Sequence, residues 1–178
     1  MAKRMDPREY FASSLKELSL KKPVDKISIS EIAEAAGYSR KNFYYYFEDR
    51  NDLISWYFNH EGKQLMRDNS DRDWSYILIR YLQDIRTYQA YYLYIFADDG
   101  PSPLIKGFFE YIISTMKEYA EINGHTLSED DLFYLEYIAY GNTRMTKSWL
   151  EDGCRKTEET FAAKLVSAYP ESMKVIFR

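Results

Sequence analysis

The polar chemistry of this chain is concentrated between Ser39 and Arg50, in Ser39-Arg40-Lys41-Asn42-Phe43-Tyr44-Tyr45-Tyr46-Phe47 and the arginine that follows. Arginine or lysine can pair with guanine and asparagine with adenine. Each good bidentate contact is worth about 1–3 kcal/mol of base discrimination. Arg40, Lys41 and Asn42 are therefore candidate base readers. Tyr44 and Tyr45 can donate phenolic hydrogen bonds to phosphate, as can the backbone amides of helix starts near Ser28 and Ser39, and Arg50 can clamp a further phosphate. Covalent chemistry finds no comparable support. His60 and His125 stand far apart, without the carboxylate or cysteine pattern of a metal site or triad, and are expected to be solvated surface side chains. No phosphate-cradling glycine loop occurs. The expectation is a protein that is not an enzyme and takes no metal and no cofactor. The single cysteine, Cys154, excludes an internal disulfide and suits a reducing cytoplasm.

Such readers need a helix that presents them. Ser28-Ile29-Ser30-Glu31 offers a capping box, and a short helix should run from there to Ala36. Gly37 supplies the left-handed turn, and Ser39 can cap the next helix, Arg40 to Phe47. Ala33 suits a close helix crossing, with Ile32 and Phe43 filling the space beneath it. At about 100° per residue, Phe43, Tyr46 and Phe47 share one face, which leaves Lys41, Asn42, Tyr44 and Tyr45 pointing away or sideways. The spacing thus predicts a helix-turn-helix at about residues 28 to 47.

The remaining pattern is helical throughout. Asp6-Pro7 opens a first helix to about Leu20, with Phe11, Leu15 and Leu18 on one face. A long fourth helix starts near Asp49, carries Leu53, Ile54, Tyr57 and Phe58, and reaches past Leu65. Further helices are expected near 72–87, 89–97, 103–123, 128–151 and 157–168. Asp98-Asp99-Gly100-Pro101, Asn123-Gly124 and Asp152-Gly153 separate them. With only 7 Gly and 5 Pro, and 46% hydrophobic residues, the class is all-α and disorder is not expected. The N-terminus lacks a secretory pattern and the longest apolar run, Ala90–Ala97, cannot span a bilayer, so no membrane association and a cytoplasmic location are expected. Charge helps little: residues 1–63 hold 11 basic and 10 acidic side chains, against 13 and 18 in the remainder. Any grip on nucleic acid must come from local placement.

The run from Ile29 to Phe47, Ile-Ser-Glu-Ile-Ala-Glu-Ala-Ala-Gly-Tyr-Ser-Arg-Lys-Asn-Phe-Tyr-Tyr-Tyr-Phe, followed by Arg50-Asn-Asp-Leu53, resembles the N-terminal domain of the TetR family of transcription regulators. The resemblance implies an all-α, TetR-like fold with a DNA-binding head over residues 1–58 and a helical dimerisation and ligand-binding body over 59–178. By it, Ser39, Arg40, Lys41, Asn42, Tyr44 and Tyr45 lie on the DNA-facing helix. Arg50 lies where many members carry a phosphate-binding lysine, and Tyr46 replaces the family's usual histidine. Trp149-Leu-Glu-Asp-Gly153 is similar to the ending of Firmicutes-type bodies, including dihydroxyacetone-kinase regulators.

The family works on double-stranded, palindromic DNA as homodimers, and by analogy the dimer contacts would be Ile138, Met145, Trp149, Phe161 and Leu165. Gly141, mid-helix, suggests a close backbone approach. The aromatic cluster Tyr88, Tyr91, Tyr92, Phe96, Phe108, Phe109 and Tyr111 lies where the family places a cavity for an effector, here a small apolar or aromatic one. Aromatic residues at helical spacing also simply fill cores. Two functions follow from the resemblance: a dimeric repressor released by a small molecule, or a TetR-like co-activator that docks on another protein without binding DNA.

Overall fold

The computed structural model describes residues 6–69, 71–97 and 103–177. The expected break at Asp98-Asp99-Gly100-Pro101 and the first five residues lie outside the described residues. Those described form ten α-helices and no strand. Helix α1 (Pro7–Ser19) starts as the sequence suggests, with Asp6 accepting the Arg8 amide at 2.9 Å and proline at the first helical position. After a 3-10 turn at Val24–Lys26 come α2 (Ile29–Ala35) and α3 (Arg40–Tyr46), then α4 (Arg50–Asp68). The body continues with α5 (Trp74–Thr87), α6 (Gln89–Ile95), α7 (Pro103–Ile122), α8 (Glu129–Glu151), α9 (Glu158–Ser167) and α10 (Glu171–Ile176). The 3-10 turn and α10 had no expectation. Each is too short for a periodic signal, and α10 is held by Met173 and Phe177, which plug a core far away in sequence.

One apolar core runs from Phe11, Ile32 and Phe43 through Leu53, Ile54 and Phe58 to Ile85, Phe108, Trp149 and Phe161. The boundary expected at residue 58 therefore falls inside an unbroken α4 and inside a shared core. Phe58 sits 5.1 Å from Phe108 and 5.7 Å from Tyr111, ring centre to ring centre, which fastens α4 to α7. A second core gathers Trp74, Met116, Tyr119, Leu135, Ile138, Tyr169, Met173 and Phe177.

Helix α8 buries Leu135, Ile138, Ala139, Thr143, Thr146, Trp149 and Leu150, the three-and-four spacing of a single inward stripe. This placement differs from the expected dimer contacts. Ile138, Trp149, Phe161 and Leu165 all turn into the subunit's own cores, because α8 and α9 must first bury these residues against α5, α7 and each other. Trp149 stacks on Phe161 at 5.0 Å, donates its indole N–H to the Lys156 carbonyl at 3.0 Å, and lies under the Arg86 guanidinium at 5.2 Å. Of the five, only Met145 is exposed, at 52%. Phe133, Tyr137 and Tyr140 of the same helix are exposed as well.

Trp149→Ala is expected to lower the unfolding free energy by about 3–5 kcal/mol, the cost of emptying a large core site. Denaturant titration measures this loss, and light scattering should show the oligomeric state of the folded variant unchanged.

Candidate nucleic-acid interface

Both caps at the helix-turn-helix are formed. The Ser28 hydroxyl accepts the Glu31 amide at 3.2 Å while the Glu31 carboxylate accepts the Ser28 amide at 2.9 Å. The Lys22 ammonium, at 2.5 Å, and these Ser28 bonds hold the Glu31 carboxyl down to about 2. Gly37 has φ +76°, and around it Tyr38 N–H donates to Ala33 and Gly37 N–H to Glu34, closing α2 in a Schellman turn. A side chain at Gly37 would meet no clash but would carry the strain of that backbone. Ala33, buried at the crossing, and Phe43, edge-on to Phe11 at 5.4 Å, then seat α3 on α1.

Seating Phe43 and Phe47 inward leaves Arg40, Lys41, Asn42, Tyr44 and Tyr45 exposed, the last at 80%, while Tyr46 is half-buried. Lys41, Asn42, Tyr44 and Tyr45 line an open concavity. Two of the base-reading candidates are already engaged locally. The Asn42 side-chain carbonyl accepts the Ser39 hydroxyl at 2.6 Å, and the Arg40 guanidinium lies over Tyr44 with a 3.3 Å hydrogen bond to its hydroxyl. Ser39 also accepts the Asn42 amide, so cap and reader are one unit. Ser28 and Ser39 stand exposed at the two helix starts.

Arg50 is placed otherwise than expected. Its guanidinium turns back to donate to the Ile27 carbonyl and lies 5.9 Å from the Tyr94 ring centre, half-buried against the body. His60 also differs from a solvated side chain: it stacks on Trp56 at 4.8 Å and contacts the Glu9 carboxylate at 2.8 Å. No group of His, Cys, Asp or Glu able to hold a metal occurs among the described residues.

The aromatic cluster of the body divides. Tyr91, Phe96 and Phe108 are core, Phe109 packs on Tyr140 at 4.2 Å, and the Tyr88 hydroxyl donates to Glu17, which with burial pushes it up to about 12. Tyr92 and Tyr111 line a partly open cavity of about 130 Å³ with Glu61, Arg80, Tyr81 and Asp84. A second cavity, about 50 Å³ and mainly apolar, shares Leu65, Tyr81 and Tyr111 with the first. The polar residues here went unread in the sequence. One signal was present: Lys16 falls with Ala12, Leu15 and Ser19 on the buried stripe of α1, and a lysine in that register requires an internal partner. That partner is Asp84, 2.8 Å away on α5.

Residues 15–55 match the family described as bacterial regulatory proteins, tetR family, and residues 72–169 match the transcriptional regulator C-terminal region of TetR type. The chain belongs to the TetR family. A relative within reach is the HTH-type dhaKLM operon transcriptional activator DhaS of Lactococcus lactis subsp. lactis (strain IL1403), 32% identical over 100 residues. The match spans 56% of this chain and 54% of that protein, about half the length of each. A solved structure described as dihydroxyacetone kinase operon activator DhaS superimposes with a TM-score of 0.71 over 97% of this chain and 98% of its own, at 21% identity. A TetR transcriptional regulator from Rhodococcus sp. RHA1 gives 0.69 over 91% and 93%, at 15% identity. The family's all-α fold is thus shared along nearly the whole chain, and no helix among the described residues is long and apolar enough to cross a membrane.

Because Arg50 is tied to Ile27 inside the protein, Arg50→Ala is expected to lower stability by about 1–3 kcal/mol, the cost of stranding a buried carbonyl. The slope of any DNA affinity against salt should stay unchanged. Thermal unfolding and a salt series on the variant check the two halves.

Proposed function

We propose that this TetR-family regulator binds double-stranded, palindromic DNA as a homodimer, with α3 laid in the major groove. The observation that carries the reading is the outward row Arg40, Lys41, Asn42, Tyr44 and Tyr45 on a helix whose other face is locked by Phe43 and Phe47. Arg40, Lys41 and Asn42 read base edges. Tyr44, Tyr45 and the helix starts at Ser28 and Ser39 hold phosphates. The nearly balanced charge of the head makes this recognition depend on shape and hydrogen bonds more than on a diffuse basic surface. Asn42 gives up its Ser39 bond to meet adenine, so part of the base contact replaces an existing hydrogen bond.

The dimer forms on the outer face of α8. Phe133, Tyr137, Tyr140 and Met145 expose apolar surface there, and open space over Gly141 lets a second backbone come close. In the first reading the dimer is a cytoplasmic repressor, and an effector held in the body releases it. A second reading, activation, is favoured by the Lactococcus lactis relative, a transcriptional activator. A co-activator that binds another protein and no DNA is the remaining form of that reading.

Fluorescence anisotropy against the DNA upstream of the protein's own coding region separates these readings. Tight binding that weakens steeply with salt supports an operator-binding regulator, and absence of binding at low salt leaves only the co-activator. A reporter behind the same DNA gives the sign. Lys41→Ala and Asn42→Ala should each lose about 1–3 kcal/mol of discrimination between the operator and a scrambled duplex. Tyr137→Asp should sediment as a monomer.

A further inference from the structure

We infer that the cavity between α4, α5, α6 and α7 is an effector site for a small organic ammonium compound, whose charged group competes with Lys16 for Asp84 and Glu61. The inference rests on the reading of the body as effector-controlled and names the chemistry of that effector. Asp84 and Glu61 line the cavity on one side and meet Lys16 of α1 on the other. They form a carboxylate partition between the cavity and the head.

Among the described residues, the partition is short of positive charge. Lys16 Nζ lies 2.8 Å from both Asp84 oxygens but 3.8 Å from Glu61. Asp84 also accepts the Tyr92 hydroxyl at 2.5 Å and Glu61 that of Tyr57, but the charge on Glu61 has no cation closer than Lys16 among the described residues. Arg80, the other cation lining the cavity, is exposed and bonded to Gln83, which places it at the rim. Burial raises the Glu61 carboxyl from its ordinary range, as expected of an under-compensated acid. Tyr81 supplies an independent pointer: its hydroxyl is buried, the residue lines the same cavity as Glu61, Asp84 and Tyr111, and the hydroxyl has no hydrogen-bond partner among the described residues. A donor-rich cation satisfies Glu61 and the Tyr81 oxygen together. An anion would meet two carboxylates, and a purely apolar guest would leave the Tyr81 hydroxyl unmatched and Lys16 still shared between Asp84 and Glu61.

The protein already shows how this site holds an ammonium. Lys16 Nζ sits 4.4 Å from the Tyr88 ring centre, 5.2 Å from Tyr57 and 5.9 Å from Tyr91, an aromatic cage backed by carboxylates. A neighbouring apolar cavity shares Tyr81 and Tyr111 with this site. A cation on the cavity side draws Asp84 and Glu61 away from Lys16, and Lys16 is what ties α1, the seat of α3, to α5.

Calorimetry on the full-length protein without DNA tests the site with three probes of similar size: 2-phenylethylamine, 2-phenylethanol and 3-phenylpropionate. The amine is expected to bind at least about tenfold more tightly than the alcohol, the ratio one charge-assisted hydrogen bond supports, and the carboxylate not at all. Glu61→Gln should erase the preference of amine over alcohol. Equal binding of amine and alcohol, binding of the carboxylate, or a preference that survives Glu61→Gln would overturn the assignment. In the wild-type protein labelled with ¹⁵N-lysine, the Lys16 Nζ resonance should move as the amine saturates, and an unmoved resonance refutes the competition. None of these readouts involves DNA. The site can therefore fail while operator binding stands, and the reverse.

Discussion

A single buried ammonium organises the relation between the two ends of this molecule. The Lys16 side chain is 5% exposed, and taking a lysine that far from water costs several kcal/mol unless a carboxylate meets it. Asp84 meets it from α5, Glu61 approaches from α4, and three tyrosine rings close the remaining sides. Removing one partner of such a pair typically costs about 3–5 kcal/mol, far more than a surface bridge. The head therefore cannot leave the body without stranding a charge, and the position of α1 is set by groups that belong to the body. Since Phe11 of α1 is also the ring on which Phe43 rests, the same constraint reaches α3.

Around that constraint the helix-turn-helix is built from local chemistry. Ser28, Glu31, Gly37 and Ser39 determine where α2 and α3 start and stop, whatever the body does. Local closure explains why this part was legible from residue types alone: each cap involves partners within about one helical turn, and such patterns are written in consecutive residues. Helix lengths in the body were legible for a similar reason, since α5, α7 and α8 carry long amphipathic stripes.

What escaped the sequence depended on partners distant along the chain. Trp149 and Phe161 were expected at a dimer face, yet within the subunit they stack on one another and are buried. Arg50 occupies a phosphate-contact position by sequence, yet the Ile27 carbonyl, 23 residues earlier, takes its guanidinium. The tyrosines between 88 and 111 gave no sign of which would fill space and which would border it. That division was set by Glu61, Asp84 and Tyr81, residues with no mutual spacing to notice. Lys16 was the exception, a charge out of place on an apolar stripe.

Helix α4 crosses from head to body without interruption over its 19 residues. At 1.5 Å per residue it is a rod of about 28 Å, so a pivot of about 5° at its body end carries the other end through about 2.5 Å. That travel is comparable to a hydrogen-bond length. A rod of this kind would act as a mechanical amplifier, turning a sub-ångström rearrangement beside Glu61 and Phe58 into a larger displacement at the end next to α3. Its gain is set by length alone, and stiffness rather than flexibility is what makes it sensitive.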